Sequence, residues 1–292
     1  MLTDPVEVLI ACGGIATRQR LARSCRRVDI DAALAAGTIV RAHRTLYRLP
    51  DLDRALAVAA ACSAQVAVLS AAVAHGWEVA LQPTRPWLKV GPGQRAPRAR
   101  AHVIWGEPDE GTGLVTSERT TVLDCARRLP LHDALPVLDS ALRHGYDHDT
   151  LRADAARLRG KGAPAARRAI GLASGRAANP FESRLRALAV EAGLAVEPQV
   201  ELALAPGLLE PADPEVARPD LVDRSRSLVL EADSWEFHTG KAAFQADCWR
   251  YTVLTLSGWT VLRFTWWQVM HQPDWVRAAL ARYARDSAAR AA

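Results

Sequence analysis

The sequence predicts an α+β protein of several domains: an N-terminal winged helix-turn-helix, a small α/β middle region and a C-terminal α/β sheet sandwich. Three observations lead to this prediction. The 292 residues suffice for two or three domains of ordinary size. In the first fifty residues helix-type runs precede two short β-type runs, and in the last third helices alternate with strands. We therefore expect domains at 1–50, 51–149 and 179–292, with a basic linker at 150–178.

The distribution of charge says more about partners than its total does. The chain has 34 arginines and only 3 lysines, a balance that GC-rich coding produces by itself, so the pI of 9.2 is weak support for a nucleic-acid partner. The net charge is +4 over residues 1–50 and +6 over 150–176, and it is −2 over 51–149 and −3 over 177–292. Positive charge is thus concentrated in two segments that could meet phosphates.

Cysteine usage and apolar runs predict a cytoplasmic protein. The five cysteines are odd in number and lack paired metal spacing, which is typical of a reducing compartment. The first ten residues do not resemble a signal peptide, because Asp4, Pro5 and Glu7 interrupt them. Residues 55–74 carry no charge, but their alanines and interspersed polar residues favour two buried helices over a membrane span. We expect no membrane partner, and the sequence leaves the oligomeric state open.

The first fifty residues predict three helices followed by a β-wing. A short helix covers 6–11, a second begins after the N-cap Thr17, and a third spans about 26–36. Two alternating runs, 38–41 and 45–49, then read as the strands of the wing. Helix, turn, helix and wing together are the elements of a winged helix-turn-helix.

Residues 13–50, GGIATRQRLARSCRRVDIDAALAAGTIVRAHRTLYRLP, resemble the winged-helix domain of AbiEi-type antitoxins, the repressor half of a toxin-antitoxin pair. The resemblance implies a third helix in the major groove of DNA and, as a possible partner, a cognate toxin or another protein. Small domains of this shape also serve as protein–protein modules, and Asp29 and Asp31 depart from a base-reading surface. The candidate DNA-binding residues are Arg18, Arg20, Arg23, Arg26, Arg27, Arg41, His43 and Arg44, with Arg250 near the C-terminal acids.

The middle region continues this resemblance loosely, in SAAVAHGW and VTSERTTVLDCARRL, and favours a scaffold. Short strands are expected at Trp87 to Val90 and His102 to Trp105, and a helix at about Thr120 to Leu129. Residues 150–178 predict a helix, a break and a second short helix. Their arginines suit two interpretations, and both stay open. One is a basic clamp that leads DNA to an acidic site, and the other is a linker whose charges are solvated.

Acidic residues are concentrated in the stretch 218–264, where a hairpin is predicted. Two β-type runs, Pro219 to Asp223 and Leu228 to Asp233, are separated by a polar turn. Side chains alternate along a strand, so Glu231 and Asp233 face the same side. Two carboxylates on one face repel each other unless a cation or a proton lies between them. Magnesium is held by one or two carboxylates together with water and phosphate, so the pattern favours a nuclease-like metal site.

Several residues of the last third carry a second resemblance. Glu182 in NPFESRLR, Gln199, Asp220, the ExD of Glu231 and Asp233, His238, Asp247, Arg250 and GWTVLRF resemble the domain-of-unknown-function family 559. That family is related to the very-short-patch-repair (Vsr) endonucleases of the PD-(D/E)xK superfamily, and the likeness covers about Asn179 to Leu280.

This resemblance implies a restriction-endonuclease-like fold that hydrolyses DNA phosphodiester bonds with Mg²⁺ or Mn²⁺. Asp233 stands where the superfamily has a lysine, and bulky Trp235 follows Ser234 where a small residue is usual. His238 is the spare proton carrier, because imidazole titrates near neutrality. The implied catalytic residues are Glu182, Asp220, Glu231, Asp233 and His238, and the implied metal ligands are the four acids among them.

Each of these residues also suits an ordinary role, such as a strand end, an acid in a first helical turn or a solvated loop histidine. Two further functions therefore remain open. One is a non-enzymatic AbiEi-type antitoxin or transcriptional repressor with a degenerate nuclease-like domain. The other is a partner-binding scaffold that contacts no nucleic acid.

Overall fold

The structure, a computed structural model, describes residues 4–11, 15–43, 46–50, 54–95, 100–109, 113–204, 216–233 and 241–291. The chain divides into two compact units that mix helices with small sheets, as the α+β prediction requires. One unit comprises residues 1–76 and 82–121, and the other comprises 77–81 and 122–292. The segment predicted as a linker, 150–178, therefore belongs to the second unit. Across these described ranges, no helix combines the length and the apolar character needed to cross a membrane.

The first unit begins with three short helices and a three-stranded antiparallel sheet in the order β1-β3-β2. Thr17 caps the second helix by accepting a hydrogen bond from the Arg20 amide over 3.2 Å. Gly37 follows the third helix with φ +72°, a left-handed conformation that glycine adopts without steric cost. The strand β1 was not predicted, because three residues give too short an alternation. These elements are α1 (Pro5–Ala11), β1 (Ile15–Thr17), α2 (Arg18–Ala22), α3 (Arg27–Ala35), β2 (Val40–His43) and β3 (Leu46–Arg48).

The rest of the first unit surrounds a second sheet, in which β5 pairs with β4 antiparallel and with β6 in parallel. Its strands β5 and β6 have the bounds that the sequence predicted. Leu88 and Val90 are buried here against the helices. The elements are α4 (Arg54–Ala61), β4 (Gln65–Val66), α5 (Val68–Ala74), β5 (Trp87–Val90) and β6 (His102–Trp105), and the helix α6 (Glu118–Arg128) spans the division between the units.

The second unit contains a four-stranded sheet in the order β12-β11-β10-β7, covered by helices on both faces. Strands β11 and β12 are parallel, whereas β10 is antiparallel to both of its neighbours. The elements are α7 (Leu131–Arg143), α8 (His148–Arg157), α9 (Ala163–Leu172), α10 (Pro180–Glu191), β7 (Glu197–Pro198), β8 (Leu202–Ala203), β9 (Val216–Ala217), β10 (Leu221–Asp223), β11 (Leu228–Asp233), α11 (Lys241–Leu256), β12 (Thr260–Thr265), α12 (Trp266–His271) and α13 (Pro273–Ala291).

Alternation along β11 assigns its side chains to the two faces of this sheet. Leu228 and Leu230 pack with α10, α12 and α13 in one apolar core. Val229 packs on the other face with Val253 and Leu254 of α11. By the same alternation Glu231 shares the face of Val229, as the predicted hairpin requires.

The sequence predicts a single strand from Val196 to Leu204, but the structure interrupts it at Gln199. Gln199 has φ +54°, a left-handed conformation that a non-glycine residue seldom adopts and that breaks the extended chain. Before the break β7 joins the main sheet, and after it β8 pairs with β9 in a separate two-stranded sheet. Two short strands thus replace one long one.

The helix α10 packs against α7 as well as against the sheet, and buried charges join the two helices. Arg186 donates to both oxygens of Asp139, over 2.8 and 2.7 Å, and both side chains are buried. Arg184 forms a hydrogen-bonded ion pair with Asp133 and donates to the Val269 carbonyl over 3.1 Å. Charges with this little access to water need such partners, so α7 is an integral part of the second unit.

Candidate functional site

Glu182 is held at the start of α10 by a helix cap. The side chain of Asn179 accepts from the Glu182 amide over 3.0 Å, and Pro180 occupies the first turn, where its fixed φ suits a helix. The Glu182 carboxylate in turn accepts from Asn179 Nδ2 and from the Ala178 amide, each over 2.9 Å. These hydrogen bonds fix the orientation of the buried Glu182 carboxylate.

Gln199 connects Glu182 to Asp220. Its Nε2 donates to Glu182 Oε2 over 3.0 Å and lies 3.5 Å from Asp220 Oδ1. Its own amide donates to the Asp220 carbonyl over 2.9 Å. The left-handed backbone at Gln199 thus coincides with three polar contacts, as expected where surrounding structure maintains a strained conformation at a site.

Asp220 and Glu231 meet where β10 and β11 pair. Asp220 precedes β10, and its Oδ2 accepts from the Ala232 amide over 2.8 Å. The two carboxyl groups interact, and the charge of Asp220 is the second cause, after burial, of the raised pKa of Glu231. Glu231 is 3% exposed, and within the described part of the chain its Oε1 has no hydrogen-bond partner.

Burial raises the pKa of all three carboxyl groups, and the charge of Asp220 raises it further at Glu182 and Glu231. Burial is the larger cause at Glu182, followed by the charge of Asp220. At Glu231 burial and then the charge of Asp220 raise the pKa to about 8. Burial also raises the pKa of Asp220, against the hydrogen bond from Ala232. Three carboxyl groups with this electrostatics are an environment that stabilises an added cation.

Arg250, predicted as a DNA contact, lies on α11 facing these acids. Its Nη2 is 3.8 Å from Glu231 Oε1 and 3.3 Å from Asp247 Oδ1, and it donates to the Tyr251 hydroxyl over 2.9 Å. Burial and then the charge of Glu231 raise the pKa of Tyr251 to about 12, so its hydroxyl stays protonated at neutral pH. Arg250 therefore supplies positive charge to the edge of the carboxylate cluster.

Asp233 takes part in a separate ion pair. Its Oδ2 lies 2.6 Å from Nε of Arg263 on the neighbouring strand β12. The Arg263 guanidinium also lies over the Tyr251 ring, 4.2 Å from its centroid. Asp233 thus shares the strand of Glu231 but faces a cation that the sequence did not associate with it.

The structure accordingly brings three predicted residues, Glu182, Asp220 and Glu231, into one cluster. His238, like Trp235, lies outside the described residues. Within the ranges that the structure describes, no group of three or more His, Cys, Asp or Glu side chains has the arrangement of a metal site. Gln199 was part of the resemblance but was not predicted as a site residue. Its role depends on a backbone angle for which the sequence has no local signal.

The predicted DNA-binding arginines that the structure describes in the first unit are exposed, and some are paired. Arg18, Arg20 and Arg23 point into solvent. Arg26, the N-cap residue of α3, is paired with Asp29 over 2.9 Å, and Arg27 is paired with Asp31 over 3.6 Å. These acids reduce the positive charge that α3 would present to phosphates. Arg41 donates to the Tyr47 hydroxyl over 3.2 Å, the side chain of His43 is not among those described, and Arg44 lies outside the described residues.

The basic segment forms helices α8 and α9 within the second unit. All seven of its cationic residues are exposed, although Asp154 pairs with Arg157 at 3.8 Å. Arg176, after α9, donates to the carbonyl of Gln199 over 3.2 Å and so connects the segment to the carboxylate cluster. The cationic residues are Arg152, Arg157, Arg159, Lys161, Arg167, Arg168 and Arg176.

No family model matches the sequence. Two curated relatives are the "Uncharacterized protein Rv2248" of Mycobacterium tuberculosis strain ATCC 25618 / H37Rv and the "Uncharacterized protein MT2308" of strain CDC 1551 / Oshkosh. Each is 30% identical over 172 residues, a match that covers 58% of this chain and 61% of the relative. The chain thus spans less than two thirds of their length. A solved structure, the RV2827C protein of M. tuberculosis, is 14% identical with a TM-score of 0.33 over 65% of this chain and 81% of its own, and does not establish a shared fold.

Proposed function

We propose that the protein is a metal-dependent DNA endonuclease whose reaction centre is the cluster of Glu182, Asp220 and Glu231. One observation carries the proposal: three carboxyl groups, from the first turn of α10, from the residue before β10 and from β11, come together in a buried position where the pKa of each is raised. Packing apolar residues there would cost less free energy than burying three acids, so their presence favours a functional requirement. The Vsr-like sheet sandwich belongs to the same proposal.

Mg²⁺ or Mn²⁺ fits the donor set of this cluster. Its atoms are carboxylate oxygens, which hard divalent ions prefer, and Glu231 Oε1 is buried with no hydrogen bond from the residues described. Glu182, Asp220 and Glu231 would hold the ion, with Asp233 next to them on β11. A bound ion would polarise a phosphate and lower the pKa of a water molecule.

The remaining residues of the cluster orient the acids. Gln199 fixes Glu182 and Asp220 through one amide group, and the Ala232 amide fixes the other oxygen of Asp220. Arg250 balances the charge of Glu231 from α11. Arg176 extends positive charge from α9 to the backbone of Gln199, which gives a phosphate chain a favourable approach.

The first unit would contribute DNA affinity as a winged helix. Its exposed arginines on α2 suit contacts with the phosphate backbone, which position a protein without reading sequence. The acids paired with Arg26 and Arg27 favour backbone contact over base reading by α3.

The test combines cleavage with metal binding. Purified full-length protein is incubated with supercoiled and linear DNA in Mg²⁺, Mn²⁺ or chelator, and its thermal unfolding is measured with each ion. We expect nicking that requires metal and an ion-dependent rise in Tm, both lost in Asp220→Asn. Asp274→Asn, which changes an exposed carboxylate in the first turn of α13, is the matched control and retains both. The proposal fails if no form of DNA is cut with either ion, or if Asp220→Asn cuts as the unchanged protein does.

A second candidate is a DNA-binding repressor or antitoxin without nuclease activity. The observation that favours it is the pairing of Glu231 with Arg250 and of Asp233 with Arg263, which balances two acids without a metal ion. This candidate predicts salt-dependent DNA binding that Asp220→Asn leaves unchanged, together with no turnover. A mobility-shift titration of both proteins in chelator and in Mn²⁺ separates the two functions.

A further inference from the structure

Three exposed tryptophans occupy α12 and the start of α13. Trp266, Trp267 and Trp275 expose 42%, 59% and 53% of their surface, although Phe264 just before them is buried. Scattered exposed apolar residues are normal, whereas three exposed indoles within ten residues, two of them in contact with the same histidine, are a concentration of the kind that marks a binding surface. We call the surface of Trp266, Trp267, His271 and Trp275 the tryptophan surface.

The rings of this surface are held in place. The helix α12 begins with a reciprocal cap between Thr265 and Gln268, and its Val269 and Met270 are buried. His271 contacts both neighbouring indoles, with centroid distances of 4.2 Å to Trp267 and 5.3 Å to Trp266.

Trp275 is also supported, because it packs edge-on against Phe264 at 6.2 Å. The three exposed indoles are therefore held in place by contacts with neighbouring side chains. Binding to rings that are already ordered loses little side-chain entropy.

The tryptophan surface begins at the end of the sheet that carries the acids. Strands β11 and β12 are parallel, and Asp233 is directly opposite Thr265. Trp266 follows Thr265 directly, so α12 starts beside the end of β11, the strand that carries Glu231 and Asp233. If a DNA strand places one of its phosphates at the carboxylate cluster, its neighbouring nucleotides would lie close to α12.

Charge in this part of the chain suits a polyanion. Residues 260–291 contain five arginines and two aspartates, a net charge of +3, whereas residues 177–259 have a net charge of −6. Arg285 and Arg290 are exposed on α13. They lie ten and fifteen residues after Trp275, about 15 and 22 Å along the helix axis, so a nucleic-acid strand of several nucleotides could reach both the indoles and these cations. Proteins bind single-stranded nucleic acid with aromatic faces and cations along one path, because every base has a π-face and every nucleotide a phosphate.

We propose that the tryptophan surface stacks on unpaired bases, so that the preferred ligand is single-stranded or locally unpaired DNA. In a paired duplex the bases stack on one another and their faces are closed to side chains. The inference deepens the proposed function, since it specifies the form of DNA presented to the carboxylate cluster. Binding itself requires neither the metal ion nor cleavage.

The experiment measures binding by fluorescence anisotropy with full-length protein in chelator, where no hydrolysis interferes. The probes are an oligodeoxythymidylate of about 20 nucleotides and a mixed-sequence duplex of the same length. The test variants are Trp267→Ala and the double variant Trp266→Ala/Trp267→Ala. Trp105→Ala is the matched control, because Trp105 is 52% exposed on β6 of the other unit.

We expect the double variant to bind the single strand at least ~10-fold more weakly, while its duplex affinity stays within about twofold. Trp267→Phe keeps a stacking ring and should retain most of the affinity. The inference is overturned if the unchanged protein does not bind the single strand, or if the double variant binds it normally. Equal losses for both probes, or an equal loss in Trp105→Ala, overturn it as well.

The same measurements separate this inference from the nuclease proposal. Loss of single-strand binding in the tryptophan variants, with no cleavage by any form of the protein, retains the binding surface and rejects the nuclease. Cleavage that depends on Asp220, with normal binding by the tryptophan variants, rejects the binding surface alone. Circular dichroism melts of each variant verify that the fold is retained. Self-association that the double variant abolishes would assign the surface to a second copy and overturn the inference.

Discussion

The side-chain amide of Gln199 donates to the Glu182 carboxylate over 3.0 Å from a backbone whose φ is +54°. The strained conformation and the buried acceptor therefore depend on each other. We expect Gln199→Ala to lower the free energy of unfolding by about 1–3 kcal/mol, because Glu182 loses a donor while the strain persists. Gln199→Asn should cost less, since asparagine tolerates a left-handed backbone. Urea denaturation of the three proteins measures this, and an alanine variant as stable as the unchanged protein would contradict it.

The pKa of Glu231, raised to about 8 by burial and by Asp220, predicts a pH dependence of stability. Between the unfolded pKa of about 4.3 and the folded value, the native state binds more protons than the unfolded chain. The stabilisation from this protonated group is complete below the unfolded pKa and is lost as the pH rises through about 8.

Glu231→Gln removes this titration. The unchanged protein should lose about 3 kcal/mol of stability between about pH 5.5 and pH 9 in chelator through this group, and the glutamine variant should not, so the stability of the variant relative to the unchanged protein rises by that amount. Chemical denaturation at several pH values measures the difference, and parallel stability curves for the two proteins would reject the assignment. Asp286→Asn, far along α13, is the control and should leave the curve unchanged.

The buried pair of Arg186 and Asp139 gives a prediction for stability alone. Asp139→Ala leaves a guanidinium buried without its carboxylate and should cost about 3–5 kcal/mol. Replacing both residues, as Asp139→Leu/Arg186→Met, should cost much less than the sum of the two single changes. A double-mutant cycle by denaturant unfolding gives the coupling energy. Additive losses would show that the pair is not energetically coupled.

The exposed cations of α8 and α9 predict a salt dependence of DNA affinity. Each phosphate contact contributes about 0.7 to 0.9 to the slope of log K against log salt concentration. Arg152→Ala/Arg168→Ala should lower that slope by about 1 to 2 if both arginines contact phosphate. The matched control is Arg85→Ala/Arg100→Ala, which removes two exposed arginines from the first unit. Equal slopes for the two double variants would favour the interpretation as a solvated surface.

Local signals were enough to predict many of the elements. Asn179 followed by Pro180 is a local signal for the start of α10, and the β-type run from Thr260 to Thr265 coincides with β12. The break at Gln199 was not predictable, because contacts with Glu182 and Asp220 maintain its left-handed backbone. The helix α12 was missed because six residues give little periodicity and its start depends on one cap at Thr265.

The candidate site shows the same limit. Strand alternation and the hairpin placed Asp220 and Glu231 in one sheet, whereas the inclusion of Glu182 came from the resemblance to family 559. Asp233, expected in the same cluster, lies in a separate ion pair with Arg263. The ion-pair partners of those acids could not be predicted from the sequence. Arg250 was predicted as a DNA contact and lies facing Glu231, and Arg263 pairs with Asp233 across two parallel strands. Such pairings depend on how elements distant in sequence pack, for which a single sequence has no pattern.

The ion pairs between α7 and α10 limit where the chain can be cut. A fragment that begins at Asn179, the boundary suggested by the sequence, would retain Arg184 and Arg186 and lose Asp133 and Asp139. The two guanidinium groups would then be buried without their carboxylate partners, which costs free energy. We therefore expect such a truncated protein to express poorly. Grafting the acid-bearing sheet onto another scaffold, or exchanging it with that of a relative, requires that the helices from residue 131 onward be transferred with it.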